Sequence, residues 1–529
     1  MEFDVIIRNG SILDGSGRDA YRTDIGVIGK TIAAIGDLSS ANAKEILDAA
    51  GKAVTPGFID AHRHADTAIF RPGFGEAELL QGLTTVINGN CGLSAAPVFG
   101  PHKKDVAAYL YPITGELGNT PVGSLADYLN ALKSRPLPLH TGMLAGLGTV
   151  RADVAGFSKD LSEDDYRAIR ALLERALSEG ALGVSLGLGY APECFFDTAG
   201  LIRALEPIRN TDIPLSVHMR SESMNLLDSI DEAVAIAKAL RVPLQISHLK
   251  AVGKDRWGTL VYDALDRIRR AREDGLDVQC DAYPYTAGST QLLHVLPPEF
   301  LAGGTDAVAK RLMDPAAQKV LKERLDFGTD FDNYAKLIGW ENIEISSVRR
   351  EEDRQFVGKT IVEAAGNAEP WRFTAELLSR NRCAVTMIDR LTHEDDIAAI
   401  YAAPFSYVIS DATYPESGVP HPRVYGTFVR VLERFVKERK LLTLPDAIKK
   451  MTRMPADRYL LINKGRIEPG ADADILVFDP DRVHERATFE NPAQCAAGID
   501  TVVVNGAIAV KDGACTGNRN GTVSERRRT

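Results

Sequence analysis

Short apolar runs of strand length recur along the middle of this chain, separated by stretches with helical spacing, and this alternation most limits its fold. The runs are Thr84-Thr85-Val86-Ile87, Ala181-Leu182-Gly183-Val184-Ser185, Leu215-Ser216-Val217-His218, Leu244-Gln245-Ile246-Ser247-His248 and Val278-Gln279-Cys280-Asp281. Between them, residues 163–174 and 229–240 carry apolar residues at helical spacing and few breakers. Repetition of strand and helix predicts a parallel sheet. Closure into a TIM-like (β/α)8 barrel is favoured because polar residues capable of chemistry stand at the ends of several runs, where that architecture gathers its site.

The chain ends read differently. Val5-Ile6-Ile7, Ile25-Gly26-Val27-Ile28 and Thr31-Ile32-Ala33-Ala34-Ile35 are short apolar stretches with glycines between them, and 473–479 and 502–506 repeat the style. Residues 1–54 and 466–529 are therefore expected to meet as one composite β-sandwich around a catalytic barrel of 55–465. Residues from about 294 to 349, with Pro297-Pro298 and Gly303-Gly304, break the rhythm and predict an inserted lid or small subdomain. A chain of 529 residues accommodates one large barrel with such smaller units.

A formal charge of -10 and a pI near 5.6 argue against nucleic acid as a partner. The mixed run 349–354 and the terminal Arg526-Arg527-Arg528 read as solvated surface. The opening Met1-Glu2-Phe3-Asp4-Val5 predicts neither a secretory leader nor a membrane span. Six cysteines, at 91, 194, 280, 383, 495 and 515, are too sparse for a disulfide framework and suit a reducing cytoplasm. Homo-oligomerisation is left open.

The chemistry begins at His62 and His64, just past the apolar run 53–59 and Asp60; on an extended segment both imidazoles point the same way and can grip one cation. Cys91 in Asn88-Gly89-Asn90-Cys91-Gly92, His218 and His248 supply further ligand types after other strands. Each has a plain alternative: a surface or hydrogen-bonded histidine pair, polar strand caps, a small buried thiol. Their joint placement favours a metal site. Asp411, in Tyr407-Val408-Ile409-Ser410-Asp411, is either a loop-ordering cap or a general base that later acts as acid. For ligand contacts the candidates are Lys250, Tyr283, Tyr190 and Arg423, together with Arg220 and Glu222 as a local polar pair; packing and salt-bridge roles compete at each. The glycine-rich segment from Gly183 to Gly189 lacks both phosphate-binding and dinucleotide spacing, so it reads as close packing.

Gly57-Phe58-Ile59-Asp60-Ala61-His62-Arg63-His64 resembles the metal-binding opening motif of the amidohydrolase superfamily. Thr84-Thr85-Val86 with the Cys91 segment, Gly183 through Tyr190, Ser247-His248-Leu249-Lys250, Asp281-Ala282-Tyr283-Pro284-Tyr285, Ser410-Asp411, His421-Pro422-Arg423-Val424-Tyr425-Gly426-Thr427-Phe428 and Gly470-Ala471-Asp472-Ala473-Asp474 resemble, more narrowly, the N-acyl-D-amino-acid deacylase (D-aminoacylase) family. The likeness covers most of the chain. It departs at Tyr190-Ala191-Pro192-Glu193-Cys194 and is loose at Leu139-His140-Thr141-Gly142-Met143, which bears on side-chain specificity more than on reaction class.

The resemblance implies hydrolysis of an N-acyl-D-amino acid to a carboxylate and a free D-amino acid by metal-activated water, with Asp411 moving the protons. It implies one tightly bound Zn2+ on Cys91, His218 and His248, and a second, weaker divalent metal at His62 and His64, bridged by Cys91. Two other functions stay in play: an amidohydrolase acting on a cyclic imide or another carboxylated amide, and a non-catalytic, metal-stabilised binding protein.

Overall fold

The computed structural model describes residues 2–526. Its centre is a TIM-like barrel. The parallel strands, in chain order, are Phe58–Asp60, Leu83–Asn88, His140–Met143 continued by Ala145–Gly146, Val184–Gly187, Leu215–His218, Leu244–Ile246, Val278–Ala282 and Ser406–Val408. Apart from Gln279 they are buried on both faces, as the near-continuous apolar runs require. The ring closes between first and last strands: Asp411 N–H donates to the His62 carbonyl at 2.9 Å, and His64 N–H to that of Ala412 at 2.9 Å.

Helices coat the ring with the stripe their spacing foretold. Glu163–Ser178 starts at a capping box in which Ser162 and Asp165 satisfy each other's backbone N–H, and it buries Ile169, Leu173 and Ala176. Leu226–Leu240 buries Ile230, Ala233, Ala237 and Leu240 along one face. Each such Leu or Ile removed from water contributes about 1.5–3 kcal/mol.

Among the described residues, both chain ends join one nine-stranded sheet. The join is antiparallel pairing of Ile475–Phe478 with Ala53–Pro56. Strand alternation then divides the side chains: Ile475 and Val477 enter a separate core with Val5, Ile7, Ile25 and Val54, while Leu476 and Phe478 enter the barrel's core, where Phe478 meets Phe58 edge-on at 6.3 Å. One short strand thereby fastens the sheet to the barrel.

The insertion runs wider than 294–349. Strands Ala287–Gln291, Ile343–Val348 and Val385–Arg390 form a three-stranded antiparallel sheet with Val385–Arg390 central, and helices Thr305–Arg311, Pro315–Phe327 and Pro370–Arg380 lie between them. The first and last of these strands fall outside the expected limits because their pairing is long-range and leaves no local breaker in the sequence. All six cysteines are free. Among the described residues no helix is long and apolar enough to cross a membrane. Arg526 pairs with Asp212; Met1, Arg527 and Arg528 lie outside the described residues.

Asp474 stands at the join. Its carboxylate accepts from His140 Nε2 at 2.9 Å, Lys464 Nζ at 2.7 Å and Asn505 N–H at 2.7 Å, and its carbonyl accepts from Gly57 N–H at 2.8 Å. Burial alone would raise this carboxyl, but His140 and Lys464 overrule it and hold it below the usual carboxylate range. A depressed folded-state value means the contribution is present above the unfolded value of about 4 and is lost as pH falls toward the folded one. Asp474→Asn is expected to lower stability at pH 7 by about 3 kcal/mol, the low end for a broken buried pair because Lys464 keeps Asp472 at 2.9 Å. Urea unfolding of both proteins should show the gap narrowing below about pH 4; a gap independent of pH would contradict the assignment.

Candidate metal and substrate site

Every candidate ligand stands just beyond or at the C-terminal end of a barrel strand. His62 and His64 continue the line of Phe58–Asp60, one residue apart on the same side, with ring centroids 5.5 Å apart. Arg63 between them points the other way, fully buried. Cys91 follows Leu83–Asn88 in a turn with Gly89 and Gly92 at positive φ, and Cys91 itself at φ 54°. A Cβ at Gly89 would collide with the Leu144 carbonyl, and one at Gly92 with the Glu193 carboxylate, so the turn can pass only as glycine. Asn90 secures it by donating to the carbonyls of Ile87 and Ala61 at 3.1 and 3.3 Å.

His218 ends Leu215–His218, and His248 follows Leu244–Ile246 at φ 35°, its N–H held by Asp281 Oδ1 at 2.6 Å. These side chains converge. Cys91 Sγ lies 3.2 Å from His62 Nε2 and 3.3 Å from His248 Nε2, and His248 Nε2 lies 2.9 Å from His218 Nδ1. His62 Nε2 and His64 Nε2 each lie 3.3 Å from Asp411 Oδ1. Ligand atoms of His62, Cys91, His248 and Asp411 all fall within 4.8 Å of one another.

Burial lowers His64 and takes His218 and His248 well below the usual imidazole value, keeping them neutral, the state that ligates a metal. Burial pushes the Cys91 thiol well up, so a cation there must displace its proton. His248 Nδ1 is 3.0 Å from Glu222 Oε1, an arrangement that turns the Nε2 lone pair toward Cys91 and His218. Two neutral imidazoles and one soft sulfur, with Cys91 Sγ and His218 Nδ1 both close to His248 Nε2, are a donor set that suits zinc.

Asp411 enters from the last strand, at φ 53°. Burial would raise its carboxyl, but Arg423, whose Nη1 is 2.9 Å from Oδ2, prevails with His62 and His64 and holds it well below the usual range. It is therefore ionised and ready to accept a proton.

The cavity beyond is about 670 Å³. Lys250 Nζ reaches it while pairing with Glu222 at 2.5 Å. Tyr283 lies beneath two cations, Lys250 at 5.9 Å and Arg423 at 4.9 Å from its ring centroid, and Tyr190 packs on His218 at 4.2 Å. Burial raises both phenols well above their ordinary value, so each keeps its O–H.

Arg220 and Glu222 do not pair. Arg220 binds Glu232 bidentately at 2.9 Å and the carbonyls of Cys194 and Phe196, because helix Leu226–Leu240 brings Glu232 back alongside it; Glu222 turns to Lys250 and His248. The sequence reading missed His294, which packs on Tyr190 at 4.1 Å, and Asp389, whose strand lay beyond the expected insertion. A lone histidine in Leu292-Leu293-His294 and an aspartate ending an apolar strand carry no local signal of a cavity.

The amidohydrolase family pattern matches residues 45–510. The D-aminoacylase of Alcaligenes xylosoxydans xylosoxydans is 33% identical over 525 residues, spanning 99% of this chain and 98% of that one. A solved D-aminoacylase, studied for its binuclear metal centre, has a TM-score of 0.84 at 32% identity, covering 99% of this chain and 100% of that chain. The N-acyl-D-glutamate deacylase of Bordetella bronchiseptica, solved with zinc and a phosphonate mimic of the reaction's tetrahedral intermediate, has a TM-score of 0.84 at 30% identity, covering 99% and 100%. With a barrel whose strand ends gather imidazoles, a thiol and an aspartate, and this likeness along its length, the chain belongs to the amidohydrolase family.

Proposed function

We propose that the protein hydrolyses N-acyl-D-amino acids with zinc held by Cys91, His218 and His248, and that His62 and His64, sharing Cys91, offer a weaker second site. The observation that carries the reading is the convergence on His248 Nε2, with Cys91 Sγ at 3.3 Å and His218 Nδ1 at 2.9 Å, while the ionised Asp411 groups with Cys91 and His248 within 4.8 Å. The likeness to a D-aminoacylase and to a zinc-bound N-acyl-D-glutamate deacylase supports the substrate class.

Zinc, when bound, polarises the amide carbonyl and acidifies a water. Asp411 takes the proton from the attacking water and returns it to the departing nitrogen, since an amine leaves poorly unprotonated. Arg423, fully buried, is a positioning residue: its ion pair fixes the Asp411 carboxylate. Glu222 positions too, by orienting His248. Lys250 and the Tyr283 hydroxyl, both on the cavity wall, hold the substrate α-carboxylate. Tyr190 forms the wall beside His218. Arg220, saturated by Glu232, shapes the pocket rather than binding substrate.

Amine release from paired D- and L-isomers of N-acyl amino acids, with zinc content quantified, tests this directly. D-selective release is expected; release from neither isomer at full zinc occupancy would overturn the substrate class and bring cyclic amides forward. Asp411→Asn should keep its fold and most of its zinc while losing about 100-fold or more in kcat; unchanged turnover at matched zinc would remove Asp411 from proton transfer. Cys91→Ser replaces a soft anionic ligand with a poor neutral one, so zinc should be lost to a chelator at a concentration lower by more than about tenfold, the least that outer-shell changes cause. Equal retention would exclude Cys91 from the metal site.

A further inference from the structure

Asp389 lies on the central strand of the inserted sheet, opposite Gly288 on one neighbour and Ile343 on the other. It lines the same cavity as Lys250 and Tyr283, is 1% exposed, and neither carboxylate oxygen has a hydrogen-bond partner. A buried carboxylate without a partner is costly and uncommon, so one aimed into a cavity points to a ligand. The facing position is glycine: a Cβ at Gly288 would lie 2.9 Å from Asp389 Oδ1 and 3.1 Å from the Tyr283 hydroxyl, tight contacts that the missing side chain avoids.

Lys250 and Arg423 act on Asp389 electrostatically, but neither donates a hydrogen bond to it, and each cation of the described site has another carboxylate as its ion-pair partner. Lys250 is engaged by Glu222, Arg423 by Asp411 and Arg220 by Glu232. The wall adds further acid: Asp228, Asp330 and Asp332 line it, with Asp332 held by Ser221, Ser223 and the Glu222 N–H, and Asp330 by Arg324. Burial pushes the Asp389 carboxyl up to about 7 even though Lys250 and Arg423 pull it down, and a directly bonded cation would lower it further.

We propose that Asp389 is the specificity-determining contact for a cationic side chain, so that the pocket takes N-acyl-D-amino acids ending in an amine or guanidine. This rests on the deacylase reading above. A substrate amine or guanidinium supplies the missing donors as a charge-assisted hydrogen bond. An acidic side chain would meet Asp389 and the acidic wall with like charge, which separates this pocket from one built for D-glutamate.

The test compares kcat/KM of the zinc-loaded, full-length protein for N-acetyl-D-lysine, N-acetyl-D-arginine, N-acetyl-D-norleucine and N-acetyl-D-glutamate, repeated in Asp389→Asn and Asp389→Leu. Norleucine matches lysine without the amine. Lysine or arginine should exceed norleucine by about tenfold or more, and both substitutions should reduce that ratio by about tenfold. Ratios taken within one protein do not depend on the fraction folded. Turnover of norleucine or glutamate equal to or above that of the cationic substrates, or a ratio unmoved by both substitutions, overturns this inference and leaves the deacylase reading standing. Absence of release from all four compounds overturns both.

Discussion

The barrel closes where its first and last strands meet, and the site is a by-product of that closure. Arg63, fully buried, donates to Asp60 at 2.9 Å, Glu78 at 2.8 Å, Ser410 Oγ at 3.2 Å, the Val424 carbonyl at 3.1 Å and the Tyr414 hydroxyl at 2.6 Å. A buried guanidinium is tolerable only when surrounded this completely, and its partners come from both sides of the seam. The two backbone bonds that seal the seam involve His62, His64, Asp411 and Ala412 themselves. Their spacing therefore sets how closely two imidazoles approach the Asp411 carboxylate.

Left-handed backbone recurs at the same rim. Cys91, His248 and Asp411 all occupy left-handed backbone, which non-glycine residues seldom adopt. Each sits just past a strand, where the chain must turn sharply while its side chain still points inward. Such conformations persist only where the surroundings over-determine them, as Asn90 does for Cys91, Asp281 for His248 and the seam for Asp411. The ring supplies that constraint, and the inserted sheet supplies part of the cavity wall facing it.

Much of this was legible in the sequence. The period-two placement of His62 and His64 after an apolar run, and single ligand-type residues after other runs, are local patterns that a strand translates directly into geometry. The composite sheet was legible from its Val- and Ile-rich ends. Its division between two cores was not, because alternation along Ile475–Phe478 shows two apolar faces without saying what covers each. The insertion's outer strands and the Arg220–Glu232 pair were hidden because both rest on contacts between distant segments. Asp389 shows the limit most clearly: an aspartate without a partner is a property of the folded cavity, not of its neighbours in the chain.

The central claim, that barrel closure brings a thiolate and neutral imidazoles onto one zinc, is tested most directly by X-ray absorption at the zinc edge of the stoichiometrically loaded protein. The account predicts one sulfur scatterer at about 2.3 Å together with nitrogen or oxygen ligands at about 2.0–2.1 Å. A shell containing nitrogen and oxygen alone would contradict it and detach Cys91 from the metal.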